Sequence, residues 1–187
     1  MRLFHFSDDP GIEVFEPRPV RVPSDRGAGR EWLNGPLVWA VSEPYQALYL
    51  FPRDCPRIVV LRKPGADAAD EALWFGERDC QAIGHIEWDW WERVRTTPLF
   101  RYELPVAPFE DLGDAGHFVS RTAVEPLAMH PLADLPAALQ AAGVELRLMR
   151  RLTPLWDLWR TTTLHVSGSR LRNAQDWAEA QARINAG

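Results

Sequence analysis

Lysine is almost missing from this chain: of its 21 basic residues, Lys63 alone is not arginine. Positive charge in excess is missing too, because 26 acidic residues leave a net charge of −5 at pH 7. A general nucleic-acid-binding surface needs a basic footprint, so that class of partner is excluded. Cysteine is scarce, with Cys55 and Cys80 and no CxxC pair, which excludes a disulfide scaffold and fits a reduced, cytoplasmic protein. No apolar run approaches the roughly 18 residues of a membrane-spanning helix. The opening MRLFHFSDDPGIEVF turns acidic at Asp8 and lacks an apolar stretch, so it does not read as a signal peptide.

What is present is globular. The 187 residues are 46% hydrophobic and 25% charged, enough for one domain or one with a small appendage. The 16 prolines imply short elements and many loops rather than a helical bundle. Nine tryptophans suffice for a large core, or a core and an aromatic-lined cleft. The arginine excess resembles phosphate recognition, but a biased genomic base composition accounts for the larger share of it.

Arg2 to Ser7 alternates and reads as an opening strand. A Pro- and Gly-rich loop then runs to Gly35. Pro36 to Val41 reads as a buried strand, and Ser42 as the N-cap of a helix from Glu43 to about Phe51. Arg57 to Leu61 is a second buried strand by its β-branched run. Pro64 to Glu71 reads as loop, Leu73 to Phe75 and Ala82 to Glu87 as strands, and Asp89 to Arg95 as helical turns. Leu99 to Leu104 is another strand, and His117 to Ser120 pairs with Val124 to Met129 around Arg121-Thr122. Asp134 caps an Ala-rich helix stopped by Gly143, and Val144 to Met149 alternates as a strand. Two helices, Pro154 to Leu164 and Ala174 to Ile184, flank a Ser167-Gly168-Ser169 link. The order implies an α+β chain.

Two segments carry the most chemistry. In Leu3-Phe4-His5-Phe6-Ser7, a strand puts His5 and Ser7 on one face and both phenylalanines on the other. In Trp39-Ala40-Val41-Ser42, a strand feeds a helix bearing Tyr45 and Tyr49, an i,i+4 pair on one face of an α-helix. Either segment alone has an ordinary structural explanation: a satisfied histidine, and tyrosines packed at the edge of a core.

Taken together, His5-Phe6-Ser7, Trp39-Ala40 and Ala47-Leu48-Tyr49 resemble the ADP-ribosyltransferase-like fold over roughly residues 1–130. That resemblance implies a cleft for the nicotinamide end of NAD. His5 would bond a ribose hydroxyl, the chain near Ser7 would hold the carboxamide, and Tyr49 would stack on the pyridine ring. Cleavage of the nicotinamide–ribose bond passes through an oxocarbenium-like state that needs a nearby carboxylate. The fold supplies it as a Glu on a late strand, and His117 stands at that position here. This departure weighs against transferase activity and leaves nucleotide binding standing. The stretches HFSDDPGIEVFEPR, VWAVSEPYQALYLFPRDCPR, VELR and SGSRLRNA also resemble, across nearly the whole chain, a family of bacterial proteins that carries no transferable activity.

Further clusters are weaker. Arg53 and Arg57 flank Cys55 between prolines, where either guanidinium offers a fork to an anion and their charge favours a thiolate; a rigid turn is the competing reading. Arg18, Glu145 and Arg147 are charges in apolar surroundings, suited to ion pairs or a cleft lining. His85, Glu87 and Asp89 alternate like metal ligands on one face, though a plain strand face is the commoner cause. Ser167 to Asn173 carries two arginines on a Gly-containing loop that could hold an anion, without the GxxxxGK[ST] pattern.

The expected protein is thus α+β, with ADP-ribosyltransferase-like mixed or antiparallel sheets around a cleft in residues 1–150 and a helical C-terminal extension over 151–187. The expected ligand is NAD or a related small-molecule nucleotide, with no metal and no membrane. His5, Tyr49 and His117 occupy the catalytic positions; Ser7, Arg18, Trp39, Ser42, Tyr45, Arg53, Arg57, Glu145 and Arg147 are the ligand-binding candidates. The alternatives are a non-enzymatic ligand- or protein-binding module and a metal-dependent hydrolase built on His85, Glu87 and Asp89.

Overall fold

The computed structural model describes residues 1–23 and 26–186, with side chains through residue 183. In chain order the strands are β1 (Leu3–Ser7), β2 (Val38–Ser42), β3 (Arg57–Leu61), β4 (Ala82–Glu87), β5 (Leu99–Leu104), β6 (Glu110–Asp111), β7 (His117–Ser120), β8 (Ala128–Leu132), β9 (Val144–Met149) and β10 (His165–Ser169). The α-helices are α1 (Ala68–Trp74), α2 (Trp91–Thr96), α3 (Leu135–Ala141), α4 (Leu158–Thr161) and α5 (Trp177–Ala186). The architecture is α+β, and none of the described helices is long and apolar enough to cross a membrane. The chain forms two compact units, Met1–Gln46 with Leu99–Leu132, and Ala47–Pro98 with the residues from Ala133 onward.

The first unit holds a six-stranded antiparallel sheet in the order β6-β7-β2-β1-β5-β8. Strand alternation sends Leu3, Val38, Ala40, Tyr102, Leu104 and Phe118 into one apolar cluster, completed by Phe15 and Val124. Those last two residues bridge backbone to backbone, so the expected long loop is tied down at Phe15 and again where Arg18 meets Leu37. That loop includes residues 24 and 25, which lie outside the described residues. Val124 is therefore engaged with Phe15, and the strand expected to begin there starts instead at Ala128 and pairs with β5 rather than with β7. Pro126 falls between the two, where a missing N–H interrupts a ladder.

The second unit holds a four-stranded mixed sheet in the order β10-β3-β4-β9, with β4 and β9 parallel. Its two central strands, RIVVL and AIGHIE, are buried along their whole length. Their apolar runs fit strands covered on both faces. Ile58, Val60, Ile83, Leu152, Leu158 and Trp177 form the core of this unit. The Asp134 carboxylate caps α3 by accepting the Ala137 N–H at 2.8 Å, and Gly143 ends the segment at φ +69°.

Several elements differ from expectation. Leu73 and Trp74 close α1 rather than open a strand, and Pro154–Leu164 divides into a 3-10 turn at Thr153–Leu155 and the short α4. Ser167-Gly168-Ser169 is not a link between helices but part of β10, paired with β3. The helix expected after Ser42 is a 3-10 run over Glu43–Tyr49. Side chains three apart eclipse in such a run, so Tyr45 and Tyr49, four apart, do not share one face.

Gly116 shows the tightest backbone approach in the first unit. Its φ is +66°, its carbonyl accepts the Ser42 N–H at 2.8 Å, and a Cβ there would run into Ser42 Oγ and the Tyr45 ring. Gly116→Ala therefore meets a strained backbone, at about 1–3 kcal/mol, together with steric overlap. Urea unfolding of this variant is expected to show a lower midpoint with an unchanged slope.

Candidate functional site

The first unit gathers its candidates around a break in the sheet. β1 pairs with β5 along all of Leu3–Ser7, and β2 pairs with β7 over Val38–Val41. Between β1 and β2, however, the ladder consists of Leu3↔Ser42 and Phe4↔Val41. That ladder ends before His5, and the segments His5–Ser7 and Val38–Ala40 continue beyond it. The His5 ring crosses the break, donating from Nδ1 to the Trp39 carbonyl at 2.8 Å. A side chain thus supplies a donor that the backbone ladder supplies elsewhere.

Residues around this break are held from several sides. Phe15 lies 4.7 Å from the His5 ring, centroid to centroid, and meets Tyr102 edge-on. The Tyr102 hydroxyl donates to the Asp9 carbonyl at 2.7 Å and accepts the Ile12 N–H at 3.2 Å. Ser7 is buried, and its Oγ accepts the Asp9 N–H at 3.1 Å, so its hydroxyl shapes the turn that ends β1. The Trp39 indole carries Arg26 over its ring at 5.4 Å and meets His117 edge-on at 6.2 Å. Its Nε1 is buried and has no partner among the described residues. An indole N–H is a donor only, so this group calls for an acceptor.

His117 stands on β7 opposite Val41 and donates from Nδ1 to the Asp114 carbonyl at 2.9 Å. Gly116, just before it, brings Ser42 and Tyr45 close. The first unit therefore collects His5, Ser7, Trp39, Ser42 and His117 on β1, β2 and β7, with Tyr45 on the 3-10 run that follows β2. Arg18 is exposed, and its engagement is the backbone bridge to Leu37. Gln46 and Arg101 were not singled out by sequence, yet Arg101 donates to Gln46 Oε1 at 3.0 Å and lies 4.8 Å over the Phe4 ring. The alternation Arg101-Tyr102-Glu103 was the available signal for a charged face on β5.

Tyr49, Arg53, Arg57, Glu145 and Arg147 belong to the second unit. Arg57 is 5% exposed; it donates from Nε to the Leu48 carbonyl at 2.8 Å and from Nη1 to the Cys55 carbonyl at 3.1 Å. Its guanidinium lies 5.8 Å from the Tyr49 ring centroid and 5.1 Å from that of Phe51. Burial pushes the Cys55 thiol up to about 12 in spite of Arg57, so the expected thiolate is not favoured. Glu145 and Arg147 pair with each other at 2.8 Å on β9, and Glu145 also meets Arg78 at 3.4 Å.

The three suggested metal ligands, His85 and Glu87 on β4 and Asp89 in the 3-10 turn after it, take separate tasks. His85 donates from Nδ1 to the Ile58 carbonyl at 3.2 Å and meets Trp74 edge-on. Glu87 accepts the backbone N–H groups of Leu152 and Gln175, at 3.1 and 3.0 Å. Asp89 accepts from the Gln175 side chain. Among the described residues no three His, Cys, Asp or Glu side chains are grouped to hold a metal ion.

His85 has a consequence for pH dependence. Burial pulls its imidazole down from 6.5 to about 4, against the opposing effect of the Ile58 bond. As pH falls through 6.5 the unfolded chain takes up a proton that folded His85 refuses until about 4. Stability contributed at neutral pH is lost across that window, on the order of 3 kcal/mol at about 1.36 kcal/mol per unit. Urea midpoints measured from pH 7 to pH 4 are expected to fall accordingly, and His85→Gln to flatten the decline.

No curated protein and no solved structure matches this chain. A family model does match it, over residues 4–174, a span that contains the parted strands of the first unit and both central strands of the second. The chain accordingly belongs to DUF6886, a family of unknown function.

Proposed function

We propose that this protein binds NAD or a related nucleotide in the first unit, at the parting of β1 and β2, and holds it without cleaving it. The observation that carries this reading is the end of the β1–β2 ladder at His5. Where two strands part inside a sheet, a ligand amide can enter between them and bond to main-chain groups in the manner of an added strand. A carboxamide such as that of nicotinamide has a matching donor and acceptor. Trp39 adds a buried indole N–H without an acceptor among the described residues, together with an apolar ring face. The His5-Phe6-Ser7 and Trp39-Ala40 segments that resemble the ADP-ribosyltransferase-like fold are the segments that meet at this break.

Binding without transfer follows from His117. Developing positive charge on the ribose needs a carboxylate at close range, and an imidazole donating to the Asp114 carbonyl does not provide one. The reading is therefore that of a binding protein built on an ADP-ribosyltransferase-like arrangement.

Trp39 makes tryptophan fluorescence a direct reporter. Titration with NAD is expected to give a saturable change, with His5→Ala and Trp39→Phe each weakening affinity about tenfold or more and Arg183→Ala leaving it unchanged. Chromatography of the incubated mixture is expected to show no free nicotinamide. Absence of a saturable signal in both fluorescence and calorimetry overturns nucleotide binding; release of nicotinamide overturns binding without transfer.

A further inference from the structure

We propose that the beginning of β3 in the second unit, with the turn that follows β10, is a binding site for a phosphate group. The proposal rests on an arrangement of arginines independent of the nucleotide reading.

Its centre is Arg57. A buried guanidinium is ordinarily matched by a carboxylate, because removing an unpaired charge from water is costly. Arg57 has no ion-pair partner among the described residues. Its Nε and Nη1 donate to the carbonyls of Leu48 and Cys55, and Nη2 donates to no described residue. Burial lowers its pKa to about 10, which leaves it charged at neutral pH. Tyr49 and Phe51 lie beside the guanidinium, so its orientation is set by aromatic packing and two carbonyls before any anion arrives.

A second arginine-bearing segment is brought to the same place. Ser169 of β10 lies opposite Arg57 in the ladder, and the chain then turns through Arg170, which has a left-handed φ of +56°. A non-glycine residue pays for that conformation in strain, and such residues persist where surrounding contacts demand them. Here Arg170 Nε donates to the Arg53 carbonyl at 3.1 Å, and Asn173 Nδ2 donates to the Asp54 carbonyl at 2.8 Å. The turn is thereby fastened to the loop that leads into β3.

The charges of this cluster do not balance. Arg57, Arg170 and Arg172 contribute guanidinium groups, and the carboxylate that pairs with them among the described residues is Asp54, 3.9 Å from Arg170 Nε. Arg170 has its pKa lowered, first by burial and next by the charge of Arg172. Arg172 is exposed and makes no ion pair with a described residue. An arriving anion relieves this mutual repulsion. Phosphate suits it best: its several oxygens accept from more than one planar fork at once, and its charge offsets more than one guanidinium. The ligand is either free phosphate or the phosphoryl end of a small metabolite, with the same chemistry at the arginines.

The test is titration calorimetry with inorganic phosphate at constant ionic strength, alongside thermal unfolding. Saturable binding and a rise in Tm that sodium chloride does not reproduce are expected. Arg170→Ala and Arg172→Ala should each weaken phosphate about tenfold or more with an unchanged circular dichroism spectrum, whereas Arg183→Ala should not. Arg57→Lys keeps the charge but loses the fork, and is expected to weaken phosphate as well. Should that variant fail to fold, the two turn variants decide the matter. Ribose 5-phosphate binding more tightly than inorganic phosphate identifies a phosphate ester as the ligand; equal or weaker binding identifies free phosphate. An equal response to chloride, or undiminished affinity in the Arg170 and Arg172 variants, overturns the site. None of these outcomes bears on NAD binding through His5.

Discussion

The carboxylate of Glu87 is the constraint on which the second unit turns. It sits at the end of β4, 1% exposed, and its oxygens accept the backbone N–H groups of Leu152 and Gln175. These two residues lie on separate C-terminal segments, so one buried side chain positions both. Leu152 and Trp177 then enter the cluster around Ile58, Val60 and Ile83. A buried carboxylate is tolerated when strong donors satisfy it, and leaving it unpaired costs several times an ordinary hydrogen bond. Burial of the C-terminal apolar residues and satisfaction of Glu87 therefore depend on one another.

Backbone carbonyls do similar work across the protein. His5 donates to Trp39, His85 to Ile58, and Arg57 to Leu48 and Cys55. In each case a polar strand residue is held by a main-chain carbonyl. More exposed arginines behave differently: Arg2 pairs with Glu43 and Glu103, and Arg62 with Glu71. Exposed pairs of this kind contribute little to stability. The arginine-rich composition thus separates into exposed arginines that pair with carboxylates and the buried Arg57, which makes no ion pair among the described residues.

Legibility in the sequence followed the range of the interaction concerned. Arg57–Leu61 and Val144–Met149 were readable as strands because β-branched runs and strict alternation are local properties. The cap and stop of α3 were readable for the same reason, since Asp134 and Gly143 act within one helical turn. Leu73 to Phe75 reads as a strand but closes α1, because a short apolar run has no period long enough to separate strand from helix. Hairpin proximity points Val124 toward β7, whereas Phe15 claims it from far along the chain. At the candidate sites, His5 and Trp39 stood out as chemistry, but the early end of their ladder is a property of pairing and left no trace in either segment.

Residue types and their spacing therefore determined which segments could become strands, that charged groups would sit beside apolar runs, and that cationic groups would be guanidinium rather than ammonium. Folding decided which of those groups would meet. Arg53 and Arg170 are 117 residues apart, and the β10–β3 ladder brings their segments together. Local propensity depends on a residue and its near neighbours, while burial, strand pairing and charge compensation are settled by whatever the whole chain packs against them. Which partners a guanidinium meets is settled by that packing, and no single segment of this sequence contains the information.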